Sequence, residues 1–169
     1  MSQEIKNPDS INKVEEGEIG VFKTMVASGP VIVQEKDGIQ KTLLVKHGDK
    51  PVENLMWKFC GGKLLKNMGL KENAIREAKE EIRVEVKLIA DLPVIELWNE
   101  VPESSSEKPE LMILIHYLAK ITKEPKAGEE VKVMDWFDIN NLPENCAPNV
   151  KPIIEAAKEV IRLKSLEKN

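Results

Sequence analysis

Three glutamates, Glu77, Glu80 and Glu81, stand at positions i, i+3 and i+4 within the stretch from Asn73 to Arg83. On a helix this spacing gathers them on one side, where like charges repel. Arg76 lies one turn before Glu80 and can offset one of them, but not all three. A glutamate-rich face of this kind usually reads as a solvated surface. Its other reading is a ligand set for a hard cation, because Mg²⁺ and Mn²⁺ prefer carboxylate oxygens, water and phosphate. Taking Ile75 as zero and about 100° per residue, Ala78 falls near −60° and Ile82 near −20°. Glu77, Glu80 and Glu81 fall at roughly 200°, 140° and 240°. The expectation is an apolar face that mounts the helix, with the glutamates opposite.

Gly61-Gly62 precedes this helix at the end of a short extended run, Met56 to Phe59. A glycine pair allows a sharp turn or close backbone approach to a ligand, though alone it signals no more than a turn. Its spacing from Arg76-Glu77 is more specific. The segment resembles the Nudix family, whose box reads G-x5-E-x7-R-E-U-x-E-E-x-G-U, with U a bulky aliphatic residue. Gly62, Arg76, Glu77, Glu80, Glu81 and Val84 match in register. Trp57, Phe59, Gly61 and Lys63 resemble the lead-in W-x-F-P-G-G-K, with Cys60 in the place of proline.

The box departs at three places. Met68 stands where the first glutamate belongs, and a thioether neither holds a hard cation nor accepts a strong hydrogen bond. Ala78 replaces a larger aliphatic residue. Arg83 replaces the glycine that suits a left-handed helix stop, so it must adopt that conformation or end the helix differently.

The resemblance implies a metal-dependent pyrophosphohydrolase that cleaves a nucleoside diphosphate linked to another moiety. It implies Mg²⁺ or Mn²⁺ held by Glu77, Glu80 and Glu81, with Glu80 and Glu81 as catalytic carboxylates and Arg76 orienting a glutamate from behind. Gly61, Gly62, Lys46 and Lys63 are the candidate substrate-binding residues; each lysine on its own reads as surface. A further acidic ligand or base is expected from the loop Asn99 to Glu110, with Glu110 first and Glu107 and Glu103 behind it. Met68 leaves a second reading open, a catalytically impaired Nudix-fold module that binds nucleotides or proteins. Pro93 and Pro102 are not at the spacing that would imply ADP-ribose.

Elements to position these residues are legible along the chain. Residues 1–19 are polar, and residues 20–169 read as a single domain. An extended segment runs from Val21 to Gln34, interrupted by Gly29 and Pro30. The turn Asp37-Gly38 leads into a strand from Thr42 to Val45, forming a hairpin. Residues 71–82 have helical period. Val84 to Trp98 is extended, Leu111 to Ile121 is an apolar central strand, and Val131 to Phe137 is another strand. Asn149 to Leu166 is an amphipathic helix with Pro152 in its first turn. His116, Trp98, Trp136 and Tyr117 read as core. The pattern predicts an α+β fold, a Nudix-like α/β/α sandwich around a central mixed sheet.

Bulk composition narrows the partners. The 169 residues are 41% hydrophobic, enough for a core, and 32% charged. A net charge of −4 argues against a nucleic acid polymer. Cys60 and Cys146 show no disulfide or zinc spacing and read as reduced thiols. No apolar run is long enough to span a membrane, and the polar stretch MSQEIKNPDS lacks the apolar region of a secretory signal, so a cytoplasmic protein is expected. A homodimer is left open.

Overall fold

The computed structural model describes residues 22–99, 101 and 106–167. In chain order the elements are β1 (Lys23–Lys36), β2 (Ile39–His47), β3 (Gly62–Lys63), α1 (Leu70–Glu81), β4 (Val86–Asp91), β5 (Ile95–Asn99), β6 (Glu110–Ile121), β7 (Val131–Asp138) and α2 (Val150–Leu166). They form one mixed seven-stranded sheet with the order β4-β6-β1-β2-β7; β3 adds to β1 and β5 to β6.

The predicted strands of the sheet proper are present, although the extended segment Val84 to Trp98 divides into β4 and β5 around residues 92–94. Asp37 and Gly38 both take positive φ, 56° and 75°, the backbone of a tight hairpin turn, and Lys36 faces Ile39 across it. β1 runs parallel to β6 from Lys23↔Glu110 to Ile32↔Ala119. Gly29 and Pro30 do not interrupt it. On the β2 side no strand among the described residues pairs with residues 29–32. The Cys60–Gly61 backbone lies against Gly29 there instead, so close that a Cβ on Gly29 would sit 2.8 Å from Gly61 Cα. Residues 56–59, expected as a strand, make only isolated bridges, Val45↔Lys58 and Trp57↔Cys146. The chain there is clasped between β2 and the segment before α2, and must turn at Gly61.

Both faces of the sheet are covered, which explains the apolar runs Val31–Val33, Leu43–Val45 and Leu111–Ile115 in its central strands. Val31, Val33, Leu44 and Leu118 pack with Val150, Ile153, Ile154 and Ala157 of α2. Ile32, Leu43, Val45 and Ala119 pack with Ala78 and Ile82 at α1. The α/β/α sandwich is therefore a direct consequence of alternate side chains finding different helices. Ile161 is half-buried at the edge of the α2 layer.

The seating of α1 corrects the expectation. Ile75 is 39% exposed, while Asn73, Ala74, Glu77, Ala78, Glu81 and Ile82 are buried. The buried arc thus runs through Glu77 and Glu81, not opposite them. Alanine at positions 74 and 78 lets the helix sit close enough to the sheet to carry carboxylates inward. Arg83 accepts the left-handed stop at φ 57°, at a cost of about 1 kcal/mol. Beyond it, Lys126 N–H donates to Ile82 C=O at 2.9 Å and Gly128 N–H to Glu81 C=O at 2.7 Å. These bonds satisfy helix-end carbonyls and dock the loop before β7 on the end of α1. Trp98 is also corrected: it is 48% exposed and meets Phe22 edge-on at 4.9 Å. Trp136 is half-buried under Lys36, whose Nζ is 4.4 Å from the ring centre. Tyr117 and His116 are buried as expected.

Candidate active site

The site is built on the Gly61–Gly62 turn, with α1 on one side and a cleft on the other. Glu81 reaches the turn from α1, and its Oε2 accepts the Gly61 N–H at 2.9 Å. Its Oε1 lies 3.3 Å from His47 Nδ1, and the Cys60 thiol donates to the same carboxylate. Gly62 carries no Cβ because the Glu77 carboxylate occupies that space. Asn73, fully buried, ties helix to turn: its Nδ2 donates to Gly62 C=O at 3.1 Å and to Ser28 Oγ at 3.0 Å. Arg76 donates to Asn73 Oδ1 at 2.9 Å, to Glu80 Oε2 at 2.6 Å and to Glu77 Oε1. Arg76 thus ties Glu77, Glu80 and Asn73 together.

Electrostatics mark Glu81 as a charge the fold does not compensate. Burial raises its pKa from 4.5 to about 7, and Glu77 adds to the rise, against the pull of the Cys60 and Gly61 hydrogen bonds and of Lys58. Burial also raises Glu77, opposed by Arg76. His47 is lowered to about 4 by burial and by Lys58. It is therefore neutral at pH 7, and its 3.3 Å contact with Glu81 is not an ion pair. Burial lowers Lys58, with Glu81 opposing.

Glu77, Glu80 and Glu81 line one pocket of about 270 Å³ together with Arg83, Glu129 and Glu130. The donor set suits a hard divalent cation: carboxylate oxygens in excess, two of them desolvated, with Arg76 as their close cation. Among the described residues no three acidic, histidine or cysteine side chains converge into a finished cation cage. Glu80 is paired with Arg76, and Glu81 accepts the Gly61 N–H. Met68 does not line this pocket, so it displaces none of the carboxylates.

Across the glycine turn lies a cleft of about 400 Å³. Met25, Met56, Leu97, Met112 and Leu114 make much of its wall, Lys63 also lines it, and Gly61 and Gly62 form the side toward the glutamates. His116 and Asn149 close its floor, joined Nε2 to Nδ2 at 3.0 Å.

The expected residues divide clearly. Glu77, Glu80, Glu81, Arg76, Gly61, Gly62 and Lys63 come together. Lys46 does not: its Nζ donates to Val52 C=O at 3.2 Å and lies over Trp57. Glu110 opens β6 opposite Lys23 and Asn99, five register positions from Ile115, the residue level with Ser28 and Gly62. That separation is roughly 17 Å along the strand. Glu107 does not line the pocket, and Glu103 lies outside the described residues. Sequence reasoning missed Glu129, Glu130, His47 and Lys58. A signal existed for the first two, an acidic pair after Gly128 just before a strand, but the docking of that loop on α1 is not visible in sequence.

The buried Glu81 gives a pH prediction. Its folded pKa is raised, so its contribution to stability is full below about 4.5 and is lost as pH rises through about 7. A cation needs the ionised form, so its affinity rises over the same window and then levels. The increase in Tm on adding Mg²⁺ should therefore be larger at pH 8 than at pH 6, as read by calorimetry. An equal increase at both would contradict the assignment.

Comparison with known proteins agrees with this geometry. The NUDIX domain profile matches residues 23–158. No curated protein sequence matches. Among solved structures, a C. elegans Ap4A hydrolase is similar with TM-score 0.64 and 18% identity, over 82% of this chain and 98% of that one. A MutT NUDIX hydrolase from Burkholderia pseudomallei gives 0.60 and 22%, over 79% and 98%. The E. coli ORF135 protein gives 0.60 and 22%, over 85% and 95%. At these identities the structures speak for the fold, and the profile speaks for the family. With the fold, the box and a domain profile matched from β1 into α2, the chain belongs to the Nudix family.

Proposed function

We propose that this protein is a divalent-metal-dependent pyrophosphohydrolase that cleaves a nucleoside diphosphate linked to another moiety. The observation that carries the reading is the buried, undercompensated Glu77–Glu81 pair at the Gly61–Gly62 turn, between an acidic pocket and an apolar cleft. Glu77, Glu80 and Glu81 would hold Mg²⁺ or Mn²⁺. When bound, the metal supplies charge neutralisation of the diphosphate and a lowered pKa for water. Arg76 holds Glu77 and positions Glu80 from behind. The Gly61 N–H, Cys60 thiol and His47 hold Glu81 toward the turn. Gly61 and Gly62 let the diphosphate approach the backbone, and Lys63 and Lys58 supply positive charge on the cleft side. The further carboxylate is Glu130, which lines the pocket and raises the pKa of Glu77 through its charge; Glu110 is placed too far along β6. The group carried by the diphosphate would occupy the apolar cleft. An Ap4A hydrolase among the structural neighbours fits this substrate class.

A panel of nucleoside triphosphates, dinucleoside polyphosphates and nucleotide sugars tests the reading. Release of a monophosphate that requires Mg²⁺ or Mn²⁺ is expected from at least one. No turnover with either metal across the panel would contradict it. One observation favours a second reading, a Nudix-fold module that binds without hydrolysing: Glu80 is held by Arg76, away from a finished cage. Nucleotide binding that survives Glu80→Gln and Glu81→Gln, without turnover by the unaltered protein, would select it.

A further inference from the structure

Arg83 is where the box departs toward charge, and it does so at a backbone position that favours glycine, with φ 57°. Its side chain lines the acidic pocket with Glu77, Glu80, Glu81, Glu129 and Glu130. Its one ion pair among the described residues, to Glu129 Oε1, is long at 3.8 Å, between side chains 48% and 94% exposed. Such a pair holds a guanidinium weakly. Arg76 is the contrast: it is committed to Glu77, Glu80 and Asn73. Of the two guanidinium groups near these glutamates, Arg76 is engaged in orienting carboxylates and does not line the pocket, whereas Arg83 does. A planar fork of donors beside carboxylates suited to a cation matches phosphate, whose oxygens it can take in pairs.

Resting on the hydrolase reading above, we infer that Arg83 is a substrate-binding residue that holds a non-bridging phosphate oxygen of the diphosphate. It supplies from a side chain a positive charge that the usual box glycine cannot.

The backbone makes the test clean. Arg83→Gly relieves the positive φ, so Tm should rise by about 2–4 °C. The same substitution should weaken binding of inorganic pyrophosphate in saturating Mg²⁺ about tenfold by calorimetry. On any substrate the protein turns over, KM should rise more than kcat falls. Arg83→Ala should lose the same affinity without the gain in Tm, and Arg83→Lys should recover part of it as a point charge. A loss of binding in a more stable protein is not a folding defect. The inference is overturned if Arg83→Gly binds pyrophosphate as tightly as the unaltered protein, or more tightly, with KM unchanged. Turnover by the unaltered protein with that result removes Arg83 alone. Absence of both turnover and Mg²⁺-dependent pyrophosphate binding in the unaltered protein removes the hydrolase reading and this inference together.

Discussion

Glu81→Gln should lower metal-dependent monophosphate release by at least about a thousandfold, since it removes a direct charge from a site whose chemistry depends on metal. The fold should survive it. The carboxamide oxygen can accept the Gly61 N–H that Glu81 Oε2 now takes at 2.9 Å. Its amino group can face His47 Nδ1, which is neutral and able to accept. Removing a carboxylate whose pKa burial has raised to about 7 should even raise the metal-free Tm at pH 8, where that group is ionised and costly. Loss of activity with unchanged or higher stability is the signature of a ligand. Retained turnover above a tenth of the original would remove Glu81 from the site. Glu80→Gln should show the same loss with little change in Tm, because the Glu80 side chain is 58% exposed.

The two glycines of the turn should fail in different ways. A Cβ on Gly61 would stand 2.9 Å from both Gly29 Cα and Ser28 O, which are backbone atoms, at φ 151°. Neither side can yield without shifting β1, so Gly61→Ala should cost about 3 kcal/mol or more and lower Tm by roughly 10 °C. A Cβ on Gly62 meets the Glu77 carboxylate, the far end of a flexible side chain. Gly62→Ala should therefore leave Tm within a few degrees while displacing Glu77, and activity should fall about a hundredfold or more. Gly69, whose Cβ would meet nothing within 4 Å, serves as the control. Thermal melts and rates on the three variants check the contrast. Equal loss of stability at Gly61 and Gly62 would mean that the turn is only a scaffold.

The fold was legible because its strands are apolar in runs and its turns carry strong local chemistry. Asp37-Gly38 could form little but a tight hairpin, and the β-branched run at Val31–Val33 could only be buried. What sequence could not give is which partner a segment finds. Residues 56–59 have strand composition, yet they are held by single bridges to β2 and to Cys146. Helical period placed Glu77, Glu80 and Glu81 together correctly. It misplaced the buried arc, because Ile75 is more apolar than Ala74 but too large to define the contact; small residues set the approach of α1 to the sheet. The acidic pair Glu129–Glu130 is far from the box in sequence. It is docked on the site by two backbone hydrogen bonds from residues 126 and 128 to the end of α1, and bonds of that kind leave no mark on side-chain patterns. Arg83 is the opposite case. Its departure from the box is plain in sequence, and its backbone does what glycine would have done.

The central claim is that the carboxylates of α1 hold a divalent cation beside the glycine turn. Its most direct measurement is calorimetric titration of Mn²⁺ at pH 8 into the protein and into a Glu80→Gln, Glu81→Gln double variant, each checked for an intact melt. Saturable binding by the unaltered protein, weakened at least a hundredfold in the double variant, is the predicted result. Equal Mn²⁺ affinity in the two proteins, or no binding by the unaltered one, would contradict it.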